Sequence, residues 1–99
     1  MRAVHCSALP TDSKLAKGLF VRPVLLVDVP HDSPVCTNEI FGPVAAVMRW
    51  KDFDEVLHRA NDSNFGLSAS VWTNDLKMAL QAVKQLEAGI VQGKSIHLK

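Results

Sequence analysis

The chain has 99 residues, 47% apolar and 21% charged, a length and composition typical of one small globular domain. Eleven basic and ten acidic residues leave a formal net charge of +1, which excludes a strongly basic surface for nucleic acid or an anionic membrane. The sequence holds no run of about 18 apolar residues, so it predicts no membrane-spanning helix.

The first half of the chain predicts strands separated by loops. Residues 1–17 are mixed and polar, and their LPTDSK segment predicts a turn or loop. Residues 19–29, LFVRPVLLVDV, are β-rich but contain Pro23, which cannot donate a ladder hydrogen bond; we expect an edge strand or a break between two short strands. Residues 30–38 contain two prolines and predict a loop. Residues 44–50, VAAVMRW, predict a strand.

The second half predicts helices alternating with strands. The first helix has apolar residues at i, i+3, i+4 and i+7, and Asp52 with Glu55 has capping-box spacing; the apolar positions are Phe53, Val56, Leu57 and Ala60. LSASVWT alternates as a strand does, with Leu67, Ala69, Val71 and Thr73 on one side.

A second helix follows that strand. Its period is carried by Leu76, Ala79, Leu80, Val83 and Leu86. We expect Thr73 or Asn74 as its N-cap and Gly89 as a left-handed residue after its end. IVQ then begins a further strand. The order strand, strand, helix, strand, helix, strand predicts a layered α/β arrangement.

Residues 38–44, NEIFGPV, form the candidate site. Glu39 and Phe41 lie two residues apart, and in an extended segment such residues point to the same side. A carboxylate can accept two hydroxyl donors at once, and an aromatic face offers a flat apolar wall to a planar ring. Gly42 and Pro43 favour a rigid turn behind them. Taken alone, the segment favours a solvated glutamate beside a core phenylalanine over a ligand contact.

Three segments together resemble the NAD(P)-dependent aldehyde dehydrogenase family. NEIFGPV resembles its E-I-F-G-P signature, and GLFVRPVLL resembles its G-x-F-x-x-P-x-x segment. ANDSNFGLSASVWTNDLKMALQAVKQLEAGIV resembles its A-N-D-x-x-Y-G-L-x-x-x-V-W-T-x-D, helix, E-A-G run. The resemblance covers roughly residues 18–91, with the motifs in the family's order and spacing. It implies that residues 1–99 are a partial catalytic domain, a fragment of a layered α/β/α fold.

The resemblance implies roles for two residues. Glu39 matches the glutamate that accepts hydrogen bonds from hydroxyls of the nicotinamide-side ribose, and Phe41 matches the phenylalanine that packs near the nicotinamide ring. The implied activity is oxidation of an aldehyde to a carboxylic acid with NAD or NADP. The sequence does not choose between the two cofactors, because the adenosine-side contacts belong to another domain of the family.

The same resemblance implies a cysteine nucleophile that this segment does not supply. In the family it lies upstream of E-I-F-G-P by about the length of this whole chain, whereas 38 residues precede Glu39 here. Cys6 lacks the family's G-Q-x-C surroundings, and Cys36 lies too close to Glu39. The five glycines form no phosphate-binding loop. We expect no catalytic residue in the segment, weak or no NAD(P) binding, and no turnover by it alone.

The cysteines, the N-terminus and the histidines predict the redox state of the thiols, the location of the chain and its metal binding. One disulfide between Cys6 and Cys36 is an alternative; we favour two free thiols in a reducing compartment. The N-terminus lacks the apolar stretch of a signal peptide, so we expect a cytoplasmic location. We expect no metal, because the histidines have no ligand-like spacing; they are His5, His31, His58 and His97.

Two expectations about partners stay open. The segment either packs against the remainder of an aldehyde dehydrogenase chain, or is a stand-alone non-catalytic interaction or structural module that self-associates or docks onto a full-length relative. A sheet separated from its parent domain exposes strand edges and apolar faces, which favours association in either case. Neither nucleic acid nor a membrane is expected as a partner.

Overall fold

The structure is a computed structural model that describes residues 1–94, and the chain divides into two compact units. The first unit is Met1–Arg49, and the second begins at Trp50. The α/β class predicted from the sequence is confirmed, because helices and strands alternate in both units. No helix within residues 1–94 combines the length and the apolar composition that crossing a bilayer requires.

The first unit is built on a three-stranded sheet. Its elements are β1 Arg2–His5, a short 3₁₀ helix Ser13–Leu15, β2 Val24–Val27, α1 Pro34–Thr37 and β3 Val44–Val47. The central strand is β2, which pairs antiparallel with β1 (Arg2 opposite Val27) and parallel with β3 (Val24 opposite Val44).

Pro23 lies just before β2, and residues 19–23 form no strand, so the predicted break between two short strands is wrong. The strand begins immediately after Pro23, whose carbonyl oxygen accepts a hydrogen bond from the Cys6 amide at 3.0 Å. The edge alternative is wrong, because β2 has partners on both sides. Strand β1 is missing from the predicted elements, because Arg2–His5 becomes a strand through its pairing with β2, which local composition does not reveal.

The connection between β2 and β3 is the predicted loop with one helical turn inserted. Pro34 begins that turn, where its missing amide proton costs no hydrogen bond. At the start of the connection Asp28 adopts a left-handed φ of 54°, which aspartate tolerates, and its amide donates to the Val47 carbonyl at 3.0 Å. The following residue, Val29, is only 5% exposed and anchors the connection.

The second unit contains a parallel β–α–β arrangement preceded by a helix. Its elements are α2 Phe53–Asn61, β4 Ser68–Trp72, α3 Leu76–Gln85 and β5 Ile90–Lys94. Strands β4 and β5 pair from Ser68 opposite Ile90 to Trp72 opposite Lys94, and α3 contacts both strands. Both predicted helices are confirmed, and each contributes one buried core residue, Leu57 and Ala82.

The two helices begin at aspartate caps. The Asp52 carboxylate accepts a hydrogen bond from the Glu55 amide at 2.8 Å, as the capping-box spacing predicts. For α3 the predicted cap, Thr73 or Asn74, is wrong, because the Asp75 carboxylate accepts from the third amide of the helix. The Thr73 hydroxyl instead accepts from the Asp75 amide at 3.1 Å, which holds the cap residue in place.

Gly89 has a different role from the one predicted. The helix ends at Gln85, and no glycine among residues 1–94 has a positive φ. Instead, a Cβ at Gly89 would lie 3.3 Å from the Leu67 carbonyl oxygen, and one at Gly66 would lie 3.1 Å from that of Glu87. The Gly89 amide donates to the Gly66 carbonyl at 2.8 Å. The glycines therefore allow the chain entering β4 and the chain entering β5 to approach closely.

The Asn61 side chain joins the end of α2 to the end of α3 and the residues that follow it. Its side-chain amide donates to the Gln85 carbonyl at 2.7 Å, and its side-chain oxygen accepts from the Glu87 amide at 2.9 Å. One side chain thus satisfies an acceptor at the end of α3 and a donor just beyond it, which the helix itself leaves unpaired. We call this pair of hydrogen bonds the Asn61 clasp.

Candidate functional site

The candidate loop, residues 38–43, enters the sheet of the first unit at one edge. Because β2 and β3 are parallel, their first residues, Val24 and Val44, lie at the same edge. Strand β1 runs the opposite way, so its carboxyl end reaches that edge too. The topology therefore brings the loop beside Pro23 and Cys6, a neighbourhood that the sequence alone does not show.

The Gly-Pro turn of this loop is fixed by backbone hydrogen bonds. The Val44 amide donates to the Gly42 carbonyl at 2.8 Å, which closes a three-residue turn centred on Pro43. The Pro43 carbonyl then accepts from the Val24 amide at 2.9 Å. At the other end of the loop, the Asn38 amide donates to the Pro34 carbonyl at 3.0 Å. The segment between these attachments is short, so its backbone has little freedom.

Glu39 and Phe41 lie on this restrained segment with their side chains exposed. The Phe41 residue is 97% exposed, although burying a phenylalanine side chain is worth about 1.5–3 kcal/mol. The Glu39 carboxylate has no hydrogen bond or ion pair with any residue in the described part of the chain. Both groups are therefore available to another molecule: two acceptor oxygens and one uncovered ring face.

These properties fit the cofactor contacts that the resemblance implies. A ribose presents hydroxyl donors, which a free carboxylate accepts, and a nicotinamide ring presents a planar surface, which an uncovered aromatic ring can cover. The loop holds no phosphate-binding group, so the residues fit one end of a dinucleotide only. Their roles as cofactor contacts stay a prediction.

Both cysteines are free thiols, in agreement with the favoured alternative. Cys6 is exposed and lines a shallow, mainly apolar cavity of about 320 Å³ together with Pro23, Gly42 and Pro43. Cys36 is half-buried in α1. No local pattern places Cys6 beside the Gly-Pro turn, because only the pairing of β1 with β2 brings it there.

No metal centre emerges within residues 1–94, where no group of three or more histidine, cysteine, aspartate or glutamate side chains is arranged to hold an ion. His97, one of the four histidines in the sequence, lies outside the described residues. The chemistry that the described site offers is therefore hydrogen-bond acceptance and ring contact.

Comparison with protein families gives one consistent result. The model described as "Aldehyde dehydrogenase family" matches residues 2–96. Hydroxyisobutyraldehyde dehydrogenase from Mycolicibacterium austroafricanum is 46% identical over 82 residues, which cover 83% of this chain and 16% of that protein. A mitochondrial aldehyde dehydrogenase from Leishmania tarentolae is 49% identical over 75 residues, 76% of this chain and 15% of that protein. The chain thus spans about one sixth of the length of these relatives.

Comparison with solved structures gives the same family. A lactaldehyde dehydrogenase structure matches with a TM-score of 0.80 at 29% identity, covering 99% of this chain and 20% of that one. An NAD-dependent aldehyde dehydrogenase from Sinorhizobium meliloti matches with a TM-score of 0.73 at 37% identity, covering 83% of this chain and 16% of that one. In both cases the similarity is to a small part of a much longer chain.

Proposed function

The chain belongs to the aldehyde dehydrogenase family, and from this premise we propose that it is a segment of an oxidoreductase that oxidises an aldehyde to a carboxylic acid with NAD or NADP. Residues 1–99 are, in this proposal, part of one catalytic domain. The segment contributes contacts to the nicotinamide-side ribose and ring, and it contributes no chemical step. The remainder of the dehydrogenase chain is its partner.

One observation carries this proposal: Glu39 and Phe41 are exposed on a loop that is fixed at both ends. The backbone hydrogen bonds at both ends restrain the loop, so binding of a ligand costs little ordering of its backbone. The Glu39 carboxylate orients the ribose by accepting its hydroxyls, and the Phe41 ring covers the nicotinamide. When bound, the cofactor supplies the hydride acceptor. The Sinorhizobium relative is described as NAD-dependent, which supports NAD; NADP is the alternative.

The segment supplies no nucleophile in this proposal. Cys36 is half-buried and lies only three residues before Glu39, and Cys6 lines a shallow cavity beside the Gly-Pro turn without the G-Q-x-C surroundings of the family's nucleophile. We therefore propose that the thiol that attacks the aldehyde belongs to another part of the protein, and that the segment alone does not turn over aldehydes. Two free thiols support a reducing compartment, for which we propose the cytoplasm.

A second candidate function has its own support in the exposed apolar surface. Among the described residues only three hydrophobic side chains are buried, whereas nineteen large hydrophobic ones are exposed. So many exposed large hydrophobic side chains around so small a buried core mark surfaces for association. The segment is therefore either covered by the rest of a dehydrogenase or is a non-catalytic module that associates with itself or with a full-length relative.

The intact mass of the polypeptide that carries NEIFGPV in its source cell decides between these candidates. An antibody against this segment, used on a denaturing gel and followed by mass spectrometry, gives that mass. A value several times 10.9 kDa supports the dehydrogenase proposal. A value near 10.9 kDa contradicts it and supports the interaction module.

A further inference from the structure

The outer side of α3 carries an apolar strip. Leu76, Leu80 and Val83 lie at i, i+4 and i+7, which places them on one face of the helix. They are 72%, 54% and 45% exposed, whereas Ala82, on the opposite side, is completely buried. We call these three exposed residues the α3 strip.

The α3 strip is bordered by positive charge. Lys77 and Lys84 lie seven residues apart along one side of it, both are exposed, and α3 contains no acidic residue. Within residues 1–94 neither lysine forms an ion pair or a side-chain hydrogen bond. With Leu80 they line an open cavity of about 340 Å³, and one wall of it is fixed because the Gln81 side chain donates to the Asp54 carboxylate at 2.8 Å.

The lysines indicate what covers the strip. Two copies of this helix packed antiparallel about Leu80 would place Lys77 of one copy opposite Lys84 of the other, so like charges disfavour a second copy. Packing against more of the same polypeptide would likewise have to bring carboxylates to both lysines, because a lysine without a carboxylate partner is costly to bury. An occupant with apolar anchors and flanking carboxylates satisfies both features.

We propose that the α3 strip docks an acidic amphipathic helix of another protein. In this mode the partner lays apolar residues at i, i+4 and i+7 along Leu76, Leu80 and Val83, while its glutamates or aspartates meet Lys77 and Lys84. The strip belongs to the second unit, and the proposal does not depend on the cofactor contacts proposed for Glu39 and Phe41 in the first.

A pair of designed peptides tests the charge preference. The first is a fluorescently labelled amphipathic helix with leucines at i, i+4 and i+7 and glutamates beside them; the second has lysines in place of the glutamates. Fluorescence anisotropy measures the binding of each to the native polypeptide that carries this segment. We expect the acidic peptide to bind at least about tenfold more tightly, and added salt to reduce that difference. Equal affinities, or no binding of the acidic peptide, would overturn the proposal.

Matched variants test the location. Leu80→Ser should weaken binding of the acidic peptide by about tenfold or more, since such a change removes a central apolar anchor. Leu67→Ser is the control, because Leu67 is 85% exposed and lies outside α3. Circular dichroism verifies that both variants keep their helices; if Leu80→Ser does not, Val83→Ser replaces it. An equal loss in the control variant would show general adhesion to exposed leucines and overturn the proposal.

Further variants test whether Lys77 and Lys84 contribute to binding and whether the strip binds a second copy of the chain. Lys77→Gln and Lys84→Gln should each weaken acidic-peptide binding by about two- to fivefold and flatten its salt dependence, whereas Lys51→Gln, on an exposed lysine outside α3, should not. Analytical ultracentrifugation reports self-association. A dimer that Leu80→Ser abolishes would assign the strip to a second copy and overturn the proposal.

Discussion

Replacing Asn61 should destabilise the second unit, because this one side chain makes both hydrogen bonds of the Asn61 clasp. Asn61→Ala eliminates two hydrogen bonds, of 2.7 and 2.9 Å, that join the end of α2 to the connection between α3 and β5. A net value of about 0.5–1.5 kcal/mol for each bond gives a loss of about 1–3 kcal/mol. Alanine is the better helix former, which returns roughly half a kcal/mol at the end of α2. We expect a net loss of about 0.5–2.5 kcal/mol in the free energy of unfolding.

Urea unfolding measures this loss. Trp50 and Trp72 both lie in the second unit and report its unfolding by fluorescence. With a slope of about 1–2 kcal/mol per molar urea for a chain of this size, the midpoint should fall by roughly 1 M. Asn64→Ala is the matched control, because Asn64 is an exposed asparagine nearby whose side chain has no hydrogen bond within the described residues.

Amide hydrogen exchange gives a local readout of the same prediction. The Glu87 amide should lose protection in Asn61→Ala and keep it in Asn64→Ala, because only Asn61 accepts its proton. If the two variants unfold at the same urea concentration and the Glu87 amide stays protected in both, the clasp has no energetic importance and the reasoning above is refuted.

Three further predictions concern the proposed cofactor contacts, the thiols and a helix cap. In the native polypeptide, Glu39→Gln should raise the KM for NAD(P) about tenfold or more, because it weakens charge-assisted hydrogen bonds to the cofactor. The control is Glu87→Gln, at an exposed carboxylate outside the loop, which should leave that KM unchanged. Steady-state kinetics measure both values. The rate of aldehyde oxidation by that polypeptide should be unchanged in Cys6→Ser and in Cys36→Ser. Loss of the rate in either variant would mean that the nucleophile is that cysteine of this segment. Asp75→Ala should lower the free energy of unfolding by about 1 kcal/mol through loss of the α3 cap, and an unchanged urea midpoint would contradict that role.

The sequence predicts features that local chemistry determines. Helix α2 follows from its apolar period, and its start follows from Asp52, whose carboxylate can only reach amides within its own first turn. Features that depend on a distant partner escape prediction. Strand β1 exists because β2 lies beside it, and Gly89 is needed because the Leu67 carbonyl approaches it, 22 residues earlier in the chain.

The sequence likewise predicts some features of the candidate loop, residues 38–43, and not others. The residue types Glu39 and Phe41 can be identified from the motif, and the Gly-Pro turn can be expected from its composition. What holds the turn, the hydrogen bond from the Val24 amide to the Pro43 carbonyl, depends on the register of two parallel strands. The presence of Cys6 at that edge depends on a third strand. Proximity of this kind arises from pairing, and no local pattern encodes it.

Strand direction favours the dehydrogenase segment over a stand-alone module. Both units contain parallel pairs, β2 with β3 and β4 with β5. Parallel sheets occur almost only where both faces are covered, because the crossover connections place helices against them. In β4 the exposed positions Ser68, Ser70 and Trp72 alternate with half-buried ones, so only one face of that strand is covered by the described residues. A two-stranded parallel pair with one open face is a poor independent fold, and it is the expected appearance of a piece of a larger sheet. We therefore expect the intact polypeptide to have a mass several times 10.9 kDa.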